Sequence, residues 1–132
     1  MNEGSIGGNK LLTDVDLPVL TTAAAGFSLG GPALSHINLP KLAIVGGPWT
    51  FSQGEAVTTL ALPALTRVDG NCSFVYGTKL TSLSVPLLKT VGGILSVAWN
   101  PMLPACQASA VRDNLVGFTG MAELSGNLGT CP

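Results

Sequence analysis

Asp14 and Asp16 lie in one short segment and His36 and Asn38 in another, 22 residues further on. If the two segments pack side by side, two carboxylates, an imidazole and an amide come within about 5 to 7 Å of one another. Such a donor set can hold a divalent cation. A solvated patch in which His36 pairs weakly with a carboxylate needs the same backbone and is the plainer expectation, so no metal is assigned. Gly26-Phe27-Ser28-Leu29-Gly30 spells a nucleophile elbow, which exposes its serine only where a strand turns sharply into a helix. Here Ser28 instead joins a rank of hydroxyl residues, Ser5, Ser28, Thr50, Ser73 and Ser96, and the single histidine cannot be assigned as its base. The rest of the sequence lacks paired acid–base carboxylates, Cys-x-x-Cys and phosphate-cradling glycine loops, so it predicts neither an enzyme nor a cofactor. Hydroxyl ranks also suggest ice binding, but the adjacent rank reads Gly30, Ser52, Val75 and Ala98 and breaks the array.

Trp49 shares its position with Phe27, Cys72 and Leu95 and reads as core. Trp99 falls at a turn position held elsewhere by Tyr76 and Gln53. There Trp99 and Tyr76 would stack as an exposed aromatic pair suited to a carbohydrate or protein partner, with packing of Trp99 on a capping helix as the competing reading. Three cysteines leave one unpaired in any disulfide scheme. A Cys106–Cys131 bridge would close a loop of about 25 residues, contribute about 3 kcal/mol and make the protein extracytoplasmic; two buried thiols are the alternative. Cys72 reads as a buried thiol. Asn71-Cys72-Ser73 is a formal glycosylation sequon, with Asn71 pointing outward if Cys72 points in.

The elements that must position these residues follow from composition and period. The chain has 132 residues, enough for one domain with a core, and is 46% hydrophobic and only 10% charged, which argues against disorder. A net charge of −1 leaves no field for a polyanion, so nucleic acid is excluded as a partner. Pro or Gly interrupts every apolar stretch, so a soluble chain with no membrane span is expected. Met1-Asn2-Glu3-Gly4 has neither a basic nor an apolar leader region, so any signal peptide is not in this sequence.

The segments LTDVDLPVL (12–20), LSHINLPKL (34–42), VTTLALPAL (57–65) and LTSLSVPLL (80–88) share one pattern, with Pro18, Pro40, Pro63 and Pro86 spaced 22, 23 and 23 residues apart. A coil of this length cannot bury its apolar residues alone, but stacked coils enclose one core. Strand alternation sends three ranks inward: Val15, Ile37, Leu60 and Leu83; Leu17, Leu39, Leu62 and Val85; Leu20, Leu42, Leu65 and Leu88. Corners fall at the prolines and at Gly46-Gly47, Asp69-Gly70 and Gly92-Gly93, where glycine is expected to supply positive φ. From Leu103 the period stops. Residues 104–117, with apolar residues at 103, 106, 110, 111 and 115 and Gly117 as a stop, read as a helix covering Leu80, Leu83 and Val97. The tail imitates half a coil, with Ala122-Glu123-Leu124 as a strand and Ser125-Gly126-Asn127 as a turn. Residues 1–102 are thus expected to form the coils and 103–132 a cap in the same domain.

The spacing of Leu80, Leu83, Val85 and Leu88 resembles the leucine-rich repeat, but that repeat places Asn or Cys where Leu20, Leu42, Leu65 and Leu88 stand. The fuller pattern, apolar-x-x-apolar-x-Leu-Pro-x-Leu-x-x-Val-x-Gly-x-Leu-x-Ile, resembles the receptor L-domain family over roughly residues 5–103, most sharply in LTSLSVPLLKTVGGILSVAWNPMLPAC (80–106). The resemblance implies a right-handed β-solenoid with a binding or structural role in secreted or cell-surface proteins, and no catalytic residues. The expectation is therefore an all-β, right-handed parallel β-solenoid of 22–23-residue coils with a short C-terminal capping helix. Its function would be recognition of a surface protein or carbohydrate, with Tyr76, Trp99, Asp14, Asp16, His36 and Asn38 as candidate contacts. The alternative is a structural protein that self-associates through its first coil. Ser5-Ile6-Gly7-Gly8 lacks a preceding proline half-coil, which is expected either of a piece of a longer solenoid, the favoured reading, or of an end that meets a partner.

Overall fold

The computed structural model describes residues 3–6, as a backbone strand, and residues 13–131. The chain is a β-solenoid of about five turns, and every strand pairing in it is parallel. One face is a six-stranded sheet of β1 (Glu3–Ile6), β4 (Gly26–Gly30), β7 (Trp49–Ser52), β10 (Cys72–Val75), β13 (Leu95–Ala98) and β14 (Ala122–Glu123). A second face stacks β3 (Thr22–Ala23), β6 (Ile44–Val45), β9 (Arg67–Val68) and β12 (Thr90–Val91). The third face is split in two: β2 (Asp14–Asp16) pairs with β5 (His36–Asn38), and β8 (Thr59–Ala61) with β11 (Ser82–Ser84).

The period sets the register. Phe27, Trp49, Cys72 and Leu95 are Cα partners along the six-stranded sheet and all point into the core. Phe27 stacks on Trp49 at 5.6 Å between ring centroids, and Trp49 tilts against Phe74 at 6.0 Å. The three leucine-rich ranks line the interior as expected, with Leu17, Leu20 and Ile37, all in the first two proline-bearing coils, only partly buried. Each proline opens a tight turn: the N–H of Leu20, Leu42, Leu65 and Leu88 donates to the carbonyl three residues back, with Pro18, Pro40, Pro63 and Pro86 at the second turn position that their fixed φ suits.

The glycine corners are built differently from the expectation. Gly46, Gly47, Gly70, Gly92 and Gly93 do not have positive φ. They are glycine because adjacent coils approach too closely for a side chain: a Cβ on Gly46 would collide with the Ala24 carbonyl, and one on Gly92 with that of Asp69. At this corner positive φ falls instead on Gly26, the equivalent of Pro48 in the next coil, and it recurs at the opposite end of the same strands.

The capping helix α1 (Ala105–Asp113) is shorter than the expected 104–117. Asn114 stops it by turning back to the coils: its Nδ2 donates to the Pro86 carbonyl at 2.9 Å, and its Oδ1 accepts from Lys89 Nζ at 2.8 Å. The chain then leaves the helix, and Val116 N–H donates to the Lys89 carbonyl. Ala108 and Val111 are buried, while Cys106 and Ala110, expected on the apolar side, are exposed. The helix packs on β11 and β13 as anticipated, and Gln107 Oε1 accepts the Leu83 N–H at the free edge of β11. The Cys106–Cys131 disulfide ties the helix start to the tail, whose strand β14 extends the main sheet.

Candidate functional site

Where the chain leaves β4, β7, β10, β13 and β14 of the six-stranded sheet, it turns through a residue with positive φ. In successive coils these are Gly31 (+135°), Gln53 (+56°), Tyr76 (+57°), Trp99 (+59°) and Gly126 (+78°). The register makes them equivalents, because Gly30, Ser52, Val75 and Ala98 are consecutive Cα partners and Trp99 N–H donates to the Ser125 carbonyl. Left-handed backbone costs an L-residue with a Cβ about 1–2 kcal/mol and suits glycine or asparagine. The two ends of the rank are glycine. The three middle coils instead carry Gln, Tyr and Trp.

The next position shows what holds this corner. It reads Gly54, Gly77, Asn100 and Asn127, and both asparagines are buried. Asn100 Oδ1 accepts the Gly77 N–H at 2.8 Å, while its Nδ2 donates to the Phe74 carbonyl at 3.0 Å and to Asn127 Oδ1 at 3.1 Å. Asn127 Nδ2 in turn donates to the carbonyls of Val97 and Leu124. This ladder satisfies the polar groups that the turn strands inside and fixes the last three coils to each other. The side chains above it are held outward: Tyr76 is 52% exposed and Trp99 48%. The six-membered ring of Trp99 lies over Gly126, where a Cβ would run into it. Trp99 is thus supported by the last half-coil. Among the described residues, ring contacts occur between Phe27 and Trp49 and between Trp49 and Phe74, so the expected stack of Tyr76 on Trp99 is not formed.

Asp14 faces His36 and Asp16 faces Asn38 across β2 and β5. His36 Nδ1 lies 3.2 Å from Asp14 Oδ1 and 3.1 Å from Ser35 Oγ, and Asn38 Nδ2 donates to Asp16 Oδ1 at 2.9 Å. The two carboxylates therefore take separate partners on a solvated face, and among the described residues no three His, Cys, Asp or Glu side chains converge. Ser28 sits mid-strand in β4, half-buried in the hydroxyl ladder with Thr50, Ser73 and Ser96, without the strand-to-helix turn an elbow needs. Burial pushes the Cys72 thiol up to about 12, so it remains protonated and inert at neutral pH. Asn71 is exposed, and its Oδ1 accepts the Ile94 N–H of the next coil. A groove of about 670 Å3 between α1 and β11 is floored by Leu83, Val85 and Val111, and Gln107 already occupies its edge donor.

The sequence singled out Tyr76 and Trp99 but not their backbone, nor the buried asparagines beneath them. The available signal was the pair of glycines, Gly31 and Gly126, that brackets the rank. Comparison with family models, with curated proteins and with solved structures finds no match to this chain.

Proposed function

We propose that this protein is a non-enzymatic recognition module of the receptor L-domain type, working in the extracellular space or at the cell surface. The observation that carries the reading is the corner where Gln53, Tyr76 and Trp99 stand in left-handed backbone with two aromatic side chains about half exposed. A rank that the fold would fill more cheaply with glycine or asparagine holds large side chains facing solvent, and strain of this kind collects at ligand contacts. The Cys106–Cys131 bridge supports an oxidising compartment. Among the described residues no helix is long and apolar enough to cross a membrane, which accords with a module displayed or secreted by other means.

The test is a binding screen on glycan and purified-protein arrays with the wild type and a Tyr76→Ala/Trp99→Ala double variant. The reading expects wild-type signals that the double variant loses while its melting temperature stays close to that of the wild type. Signals identical in the two proteins would overturn it.

A further inference from the structure

Resting on the recognition reading above, we infer that the Gln53, Tyr76 and Trp99 corner binds an uncharged β-linked polysaccharide laid along the solenoid axis. Shape is the first argument. The three side chains form a ridge one residue wide that advances by one coil, about 4.8 Å, per step. Specific protein interfaces occupy about 800 Å2 on each side, far more than three side chains on a corner present. A linear polymer needs only such a ridge, because it meets each coil in turn, and an extended β-1,4-linked pyranose chain repeats at a spacing close to that of the coils.

Charge is the second argument. Gln53, Tyr76 and Trp99 carry none, and Glu55 and Lys79 in the same corner loops are exposed and opposite in sign. That surface offers no net field to an acidic polymer, and a neutral one needs none. The chemistry of the groups is the third. An aromatic face takes the apolar C–H face of a pyranose ring, while the Gln53 amide and the Tyr76 hydroxyl supply both donors and acceptors for ring hydroxyls. The fourth is rigidity. Asn100 and Asn127 lock the backbone beneath, and Tyr and Trp each have only two side-chain torsions to fix on binding.

Co-sedimentation with cellulose, chitin and curdlan, with α-linked starch as control and at low and high salt, tests the inference. Wild type is expected to sediment with at least one β-linked polymer and not with starch, unchanged by salt. Trp99→Ala and Tyr76→Asn should each weaken that binding about tenfold or more, while Ser73→Ala on the adjacent sheet leaves it unchanged. Tyr76→Asn keeps a residue suited to left-handed backbone, so it reads loss of the tyrosine ring and hydroxyl without disturbing the turn, even if Trp99→Ala disturbs folding. Absence of binding to all three polymers, binding kept in both corner variants, or binding abolished by salt would overturn the inference. If the polymers fail but an array of purified ectodomains yields a partner lost in the Tyr76→Asn/Trp99→Ala protein, the glycan inference falls and the recognition reading stands. If neither polymers nor ectodomains distinguish that variant from wild type, both fall.

Discussion

Phe27, Trp49 and Phe74 pack ring against ring inside the solenoid, whereas Tyr76 and Trp99 stand on its corner, and the two sets answer to different constraints. The inner rings occupy ordinary strand backbone, fill the prism and are almost wholly removed from water, so packing holds them there even though the Trp49 Nε1–H is buried without a partner. The outer two occupy backbone that disfavours them and recover only about half their surface in contacts. Residue type alone therefore says little here. The same indole is a keystone at position 49 and a display group at position 99.

The sharpest way to break that comparison is to truncate both tryptophans. Trp49→Ala should lose about 3–5 kcal/mol in urea unfolding, because it opens a cavity between two rings, while Trp99→Ala should lose far less. Equal losses would make position 99 structural and remove the contrast. Removing the bridge with Cys106→Ser and Cys131→Ser is expected to lower stability by about 3 kcal/mol. It should also raise hydrogen exchange in β14 and leave the inner rings protected, so loss of protection across β7 and β10 would contradict a solenoid held mainly by its core.

These contrasts were only partly legible in the sequence. The 23-residue period exposed the inward ranks, the proline turns, the buried place of Cys72 and the half-coil at Ala122–Glu123, because each of these is repeated and depends on side-chain polarity. The cap was legible in kind but not in length, since Asn114 ends the helix through bonds to Pro86 and Lys89, residues of a different coil. The left-handed corner was hidden for the opposite reason. Positive φ is ordinarily marked by glycine, and the Gly-Gly pairs drew that expectation although close coil contact explains them, while three consecutive positive-φ positions carry Gln, Tyr and Trp. Among the candidate contacts, the Asp14, Asp16, His36 and Asn38 patch was foreseen as neighbours across two coils, but its pairing into two separate couples depends on side-chain geometry that spacing does not encode.

Smaller effects sharpen the inner half of the comparison. Burial raises the Cys72 pKa from 9.0 to about 12, so the unfolded chain ionises first and stability should fall as pH rises through that window. At pH 10 the loss is about 1 kcal/mol relative to neutral pH, and Cys72→Ala should abolish the slope. A native thiol that reacts with a disulfide reagent as fast as the unfolded chain would show that the interior is open. The smallest effect belongs to the corner. Tyr76→Asn should leave stability unchanged or raise it by up to about 1 kcal/mol, as backbone strain is relieved without loss of a buried contact. A clear destabilisation there would mean that the tyrosine belongs to the architecture after all.

The near-uniform step of the strand register has a kinetic consequence. From β1 to β13 the partners lie 22 or 23 residues away, as with Phe27 to Trp49 and Trp49 to Cys72, and the last step, Leu95 to Ala122 across the capping helix, widens to 27. Loop-closure entropy is therefore nearly the same for each added coil, and none has to wait for a distant segment to arrive. Once two coils have docked, each further coil condenses on a finished template, so folding should spread along the axis like a zipper, with a rate set by forming the first pair and not by the number of coils that follow.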